Sequence, residues 1–388
     1  MTFRTRIIVL FVVVPATAFA IVGGFLGRAA ARDDAYRHLR IFEDVVSLIE
    51  NNYVEEINLN LVIDGALRGL ADGLDPDSSY LSADQVQYLT TEKSLLNGRV
   101  GLELTRQYYL QIIATRDDSP AADAGLRPGD YVREINEQPT RNMSVFEGTR
   151  LLRGTPGSAL SLTVLRGNSR APHEVKLIRE KLITPQVTGW MAASDVGYLR
   201  IAVFDSDVTE QITTRIDELI HKGAQQLIVD LRQTAEGPLD AGLDAARLFV
   251  TSASLAIREE RGVNRETILA GTTDGEIRQP LVILVNTGTA GAAELFTAGL
   301  IANDRAKVVG GQTLGRTALQ KLVDLPDGSG LLLSSVRFLT TSGTPIHQHG
   351  LQPDVVVNEP NPEFGSPLPE DDPMLKKALE LLTEHRPA

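Results

Sequence analysis

The chain has 388 residues, 43% of them hydrophobic, which is enough to bury a substantial core and long enough for two or three domains. Its 38 basic and 50 acidic residues leave a net charge of -12, which opposes the counterion-release attraction behind nucleic-acid binding, so DNA and RNA are set aside as partners. There is no cysteine, which excludes disulfides and thiolate metal sites, and no cofactor is expected.

Residues 1–34 contain an uncharged apolar run of 20, Ile7 to Leu26, about the length of a bilayer-spanning helix. Arg4 and Arg6 precede it and favour a cytoplasmic amino end with the rest exported, although Arg28 and Arg32 weaken the asymmetry. The run reads as an anchor at residues 7–26 in the inner membrane, with an extracytoplasmic, periplasmic body. A cleaved signal peptide is the alternative, because Ala18-Phe19-Ala20 resembles a cleavage site.

Residues 35–90 read as a small helical domain. Leu39, Phe42, Val46, Ile49 and Tyr53 recur at helical spacing, as do Ile63, Leu67, Leu70 and Leu74. The turn sequence LDPDSSYLS follows. From 91 to 182 short strands, GRVGLEL and YLQIIAT, precede a helix-turn-strand stretch, a helical run and two more strands. This order resembles a PDZ domain. The resemblance implies that the loop Gly98, Arg99, Val100 and Gly101 receives the terminal carboxylate of a peptide or protein chain. Leu102, Leu104, Thr149 and Leu152 would then line the side-chain pocket. Read as residues alone, these four are equally ordinary core positions.

From 183 to 388 strands alternate with helices, the pattern of a sheet covered by crossover helices, and the terminal stretch DPMLKKALELL reads as one more helix. Ligands bind in such sheets at the carboxyl ends of strands, where Gln233–Pro238 and Thr287–Gly291 fall. The fold class is therefore multidomain α/β (α+β).

Taken together, DPDSSYL, AGLRPGD, VDLR followed by GPLD, VGGQTLGRTALQ and HGLQPDVVV resemble the carboxyl-terminal processing peptidases, or tail-specific proteases. That resemblance implies an α/β ClpP/crotonase-like peptidase core and a Ser-Lys dyad in which a neutral lysine takes the serine proton. Laid on this chain, the pattern puts Gly291 at the nucleophile, Arg316 at the base 25 residues later, and Gln320 at the residue that orients the base. The oxyanion positions become Glu236, Gly237 and Ala292, with Glu236 replacing the first glycine of the family's loop.

Glycine has no side chain to attack a carbonyl, and a guanidinium is not deprotonated in a protein. The expectation is a serine-peptidase homologue that is catalytically inactive, binds chain termini through its PDZ domain and vacated cleft, and acts with an active protease as partner. The alternative is an active periplasmic endopeptidase using a displaced pair drawn from Thr287, Thr289, Lys307 and Lys321. An ion pair between Arg316 and Glu236 across the old site is a further expectation. No metal site is expected, because His347 and His349 lack a third ligand and read as surface histidines.

Overall fold

In a computed structural model of the chain, the described residues are 36–92, 97–167, 171–182, 187–360, 362–366 and 371–384. The apolar run at 7–26 lies outside them. Among the described residues no helix is long and apolar enough to cross a membrane. The chain divides into two units, residues 1–69 and 70–388. The first contains helix α1 (residues 36–52) and most of α2 (Leu59–Asp72), as the two periodic runs predict.

The second unit opens with β1 (Ser79–Leu81). This strand lies inside the stretch read from sequence as helical, and it pairs with a strand some 250 residues later, a contact that local periodicity cannot reveal. Helix α3 (Ala83–Gln87) follows, started by a capping box of Ser82 and Gln85.

A PDZ-like domain comes next. It consists of β2 (Leu102–Arg106), β3 (Leu110–Thr115), α4 (Pro120–Asp123), β4 (Tyr131–Ile135), β5 (Gln138–Pro139), α5 (Val145–Leu152), β6 (Ala159–Leu165) and β7 (His173–Ile178). Its sheet runs β2-β3-β4-β6-β7, with β5 pairing β4, so β2 is an edge strand. The domain has its own core, in which Leu104, Leu110, Ile112, Val132 and Ile135 are wholly buried.

The remaining chain builds a six-stranded sheet from β8 (Val187–Ala193), β9 (Val196–Ile201), β10 (Gln226–Asp230), β13 (Leu281–Val285), β14 (Lys307–Gly310) and β17 (Val355–Val356). All neighbours in it are parallel except β8 and β9. Every residue of β10 and β13 is buried, as expected of strands covered on both faces. Leu227, Val229, Ile283 and Val285 point to one face, covered by α6 (Val208–His221), α7 (Leu239–Arg247) and α8 (Ala292–Ile301). Ile228, Val282 and Leu284 point to the other, covered by α9 (Pro373–Glu384), the terminal helix read from the sequence. A smaller antiparallel sheet joins β1, β11 (Ser254–Glu260), β12 (Glu266–Leu269), β15 (Ala318–Asp324) and β16 (Gly330–Leu339).

Candidate functional site

The loops after β9, β10 and β13 meet at the carboxyl ends of the parallel strands, where this architecture places ligands. Gly291 caps the amino end of α8 with φ 64° and ψ -118°, a backbone region that side chains enter only at a cost. A Cβ at Gly291 would meet only Leu239 Cδ2 at 3.5 Å and the Arg316 carbonyl oxygen at 3.7 Å, both ordinary contacts. The turn therefore has the strained shape and the room of a nucleophile elbow, and the two positions that the resemblance assigns to the dyad have their backbones side by side. Neither position carries a hydroxyl, thiol or amine.

Arg316 turns its guanidinium toward other elements. Nη2 lies 2.9 Å from Asp77 Oδ1, and Nη1 lies 3.6 Å from Glu103 Oε2 and donates to the Leu104 carbonyl at 3.3 Å. Burial pulls its pKa down, but the carboxylates Asp77 and Glu103 push it up by more, so the side chain stays charged. Gln320 Nε2 donates to the Asp77 carbonyl at 2.5 Å. It therefore steadies the turn that supplies the acidic partner, and its connection to Arg316 runs through that turn.

The loop after β10 is held in place on several sides. The Gln233 N–H donates to Asn286 Oδ1 at 3.0 Å, the Ala290 N–H to the Thr234 carbonyl at 2.9 Å, and the Phe204 N–H to the Glu236 carbonyl at 3.0 Å. Gly237 has φ 120°, and a Cβ there would stand 1.7 Å from the Phe204 carbonyl oxygen, so only glycine fits. Ala292 is the first residue of α8 and is buried. Glu236 pairs with Arg99 Nη1 at 2.9 Å and Arg116 Nη1 at 3.5 Å. The expected Arg316–Glu236 pair does not form: Asp77, from the turn before β1, and Glu103 of the PDZ-like domain take Arg316, and Arg99 and Arg116 of that domain take Glu236.

The same domain covers the cleft. Ile113 and Ala114 of β3 pack against Ala290, Ala235 and Leu314. Thr115 Oγ1 donates to Gln233 Oε1 at 2.5 Å, and Arg200 Nε donates to Asp117 Oδ2 at 2.8 Å. The vacated cleft expected to receive chain termini is capped by this strand.

Between β2 and α5 lies a pocket lined by Arg99, Val100, Gly101, Leu102, Thr149 and Leu152 together with the charged side chains Glu103, Arg153 and Glu236. Leu104 sits in the domain core instead, fully buried, and offers the site only its carbonyl. The Gly98 and Arg99 N–H groups already donate to the Gly154 and Glu180 carbonyls, at 2.9 and 2.8 Å.

One residue that sequence reasoning missed ties the site together. Glu294 is fully buried in α8 and accepts from Gly291 N at 3.0 Å, Arg316 N at 2.7 Å, Gly315 N at 2.6 Å and the Thr313 hydroxyl at 2.5 Å. Burial raises its carboxyl to about 7, against the pull of these donors. A lone carboxylate in the otherwise apolar stretch AAELFTAGL was the signal available for it. Glu103, likewise missed, is raised to about 7 by burial and then by Glu236, opposed by Arg316.

The displaced threonine-lysine pair is not assembled. Thr289 Oγ1 donates to the Leu231 carbonyl at 2.8 Å and accepts the Asn286 N–H at 3.0 Å, a closed structural role. Lys307 stands opposite Val282, at the amino end of its strand and away from the elbow, and Lys321 is an exposed residue of β15. Thr287 is exposed beside the elbow. Among the described residues no group of three or more metal-ligating side chains occurs. His347 departs from the surface reading, since both its ring nitrogens are buried without a hydrogen-bond partner.

Comparison with known proteins bears on these features. Residues 195–357 match the model of peptidase family S41, and residues 112–166 match a PDZ domain. The chain is 32% identical over 293 residues to the carboxyl-terminal-processing protease of Synechocystis, covering 73% of this chain and 68% of that one. It is 27% identical over 318 residues to the carboxy-terminal processing protease CtpA of Bacillus subtilis, covering 81% and 67%. Among solved structures, a photosystem II D1 C-terminal processing protease superposes with a TM-score of 0.69 at 25% identity, over 82% of this chain and 92% of the other. An S41 match on the parallel-sheet core, a PDZ match on the antiparallel domain and these relatives agree: the chain belongs to the carboxyl-terminal processing proteases of peptidase family S41.

Proposed function

We propose that this member of the family is a non-catalytic binding protein. It recognises peptide or protein C-termini through its PDZ domain and thereby regulates the action of an active protease on the same chains. The observation that carries this reading is the pair of positions 291 and 316. Their backbones are adjacent, yet one has no side chain and the other is a guanidinium turned away to Asp77 and Glu103. Neither attack nor proton abstraction can occur there, and loss of a serine peptidase's nucleophile alone lowers turnover about a million-fold. Fold kinship supports the architecture, while activity is decided by the site. The reading includes export of the body of the protein and anchoring by residues 7–26.

The test is incubation of the full chain with an unfolded protein and with labelled C-terminal peptides, beside a Gly291→Ser, Arg316→Lys, Glu236→Gly form. Binding without cleavage by the parent is expected, with cleavage gained in the triple replacement. Cleavage by the parent above background would overturn the reading.

A further inference from the structure

We propose that Glu236 is an internal ligand of the PDZ pocket: its carboxylate occupies the place where the terminal carboxylate of a bound chain is held, and Arg99 and Arg116 are the residues that exchange one carboxylate for the other. The inference rests on the C-terminus-binding reading above and adds to it the recognition chemistry and an occupant that must be displaced.

Three observations converge. Glu236 comes from the core loop after β10, yet it lines the pocket formed by the loop at Arg99–Leu102 and helix α5. Both arginines aim at a single oxygen, Oε2, at 2.9 and 3.5 Å, and the Glu236 side chain is only 12% exposed. The pocket interior measures about 20 Å³, room for roughly one water molecule. Arg116 is 8% exposed in its side chain, and its Nε is buried with no hydrogen-bond partner, a donor still available to an anion that presents two oxygens. At this end of the loop the Gly98 and Arg99 N–H groups are already spent on the Gly154 and Glu180 carbonyls. An incoming anion is met there by the guanidinium of Arg99, with Arg153 on the same lining.

A site filled by its own chain binds ligand in proportion to the fraction in which the occupant is out. Removing the negative charge of Glu236 while keeping its shape therefore strengthens binding of free carboxylates and leaves other contacts alone. The experiment uses the full chain and its Glu236→Gln form with a synthetic hexapeptide library, randomised at the last three positions, in free-acid and C-terminally amidated versions. Dissociation constants of the best-retained members are measured by fluorescence anisotropy.

The expected result is free-acid binding about tenfold tighter in Glu236→Gln, no gain for amides, and loss of the gain when Arg99→Gln is added. Equal free-acid affinity in parent and variant overturns this inference and leaves C-terminus binding standing. A gain of the same size for amides also overturns it, since that shows a widened pocket and no exchange of carboxylates. No retention of any library member by either form overturns both this inference and the reading it rests on.

Discussion

Replacing Arg316 by methionine tests what its guanidinium does at the position the resemblance assigns to the base. The substitution keeps most of the aliphatic stem and removes the charge. It leaves Asp77, 11% exposed in its side chain, and Glu103, 20% exposed, without the guanidinium that pairs with both. Breaking a fully buried pair costs about 3–5 kcal/mol, and a surface pair about 0–1. Arg316 keeps 28% of its side chain in water, so a loss of about 2–3 kcal/mol is expected. Glu103 makes that loss pH-dependent. Its carboxyl is raised from 4.5 to about 7 by burial and Glu236, with Arg316 opposing the rise. At about pH 6 it is largely neutral in both proteins, and the loss is mainly that of the Asp77 pair. At about pH 8 the parent buries an ionised Glu103 beside a cation, whereas the variant must bury it alone or keep its proton, so the loss grows by about 1 kcal/mol. Urea unfolding of both proteins at the two pH values measures the difference. A loss below about 0.5 kcal/mol at both, or one that shrinks as pH rises, refutes the reasoning.

Three further outcomes follow from the same geometry. A group whose folded pKa is raised contributes stability that is full below its unfolded value and lost as pH rises through the folded one. Glu103→Gln should therefore reduce the fall in stability between about pH 4.5 and about pH 7 without abolishing it, because Glu294 remains; a full proton-linkage profile of both proteins checks this. Gly291→Ser meets no steric obstacle but must adopt φ 64°, so thermal unfolding should show it less stable by about 1–2 kcal/mol, and an unchanged midpoint would contradict the strained elbow. Glu294→Gln sets an amide N–H₂ against N–H donors that now face a carboxylate. It should cost about 2–3 kcal/mol and speed hydrogen exchange at Gly291, Gly315 and Arg316, whereas an effect confined to α8 would show that Glu294 does not couple the two loops.

Much of this was legible before any coordinates. The β-branched run ending at Val285, the small residues to Gly291 and the helix beyond it follow from local rules, and the structure places strand, turn and helix there. The motif spacing likewise brings 291 and 316 together. The partners of Arg316 and Glu236 were not legible. Arg316 is answered by Asp77 from the turn before β1 and by Glu103 from β2, and Glu236 by Arg99 and Arg116 of the PDZ domain. Each partner is more than a hundred residues away in sequence, and which guanidinium reaches which carboxylate depends on how the PDZ domain sits on the core. Leu104 shows the same limit from the other side: its alternation marks a buried position, but only the fold shows that its carbonyl faces Arg316.

The most direct test of the central claim is intact-mass spectrometry of the purified, unaltered chain after exposure to a fluorophosphonate probe and to a threonine-directed lactone. With hydrogen at 291 and a charged guanidinium at 316, the mass is predicted to stay that of the untreated protein. A stoichiometric adduct mapped to Thr287 or Thr289 would contradict it.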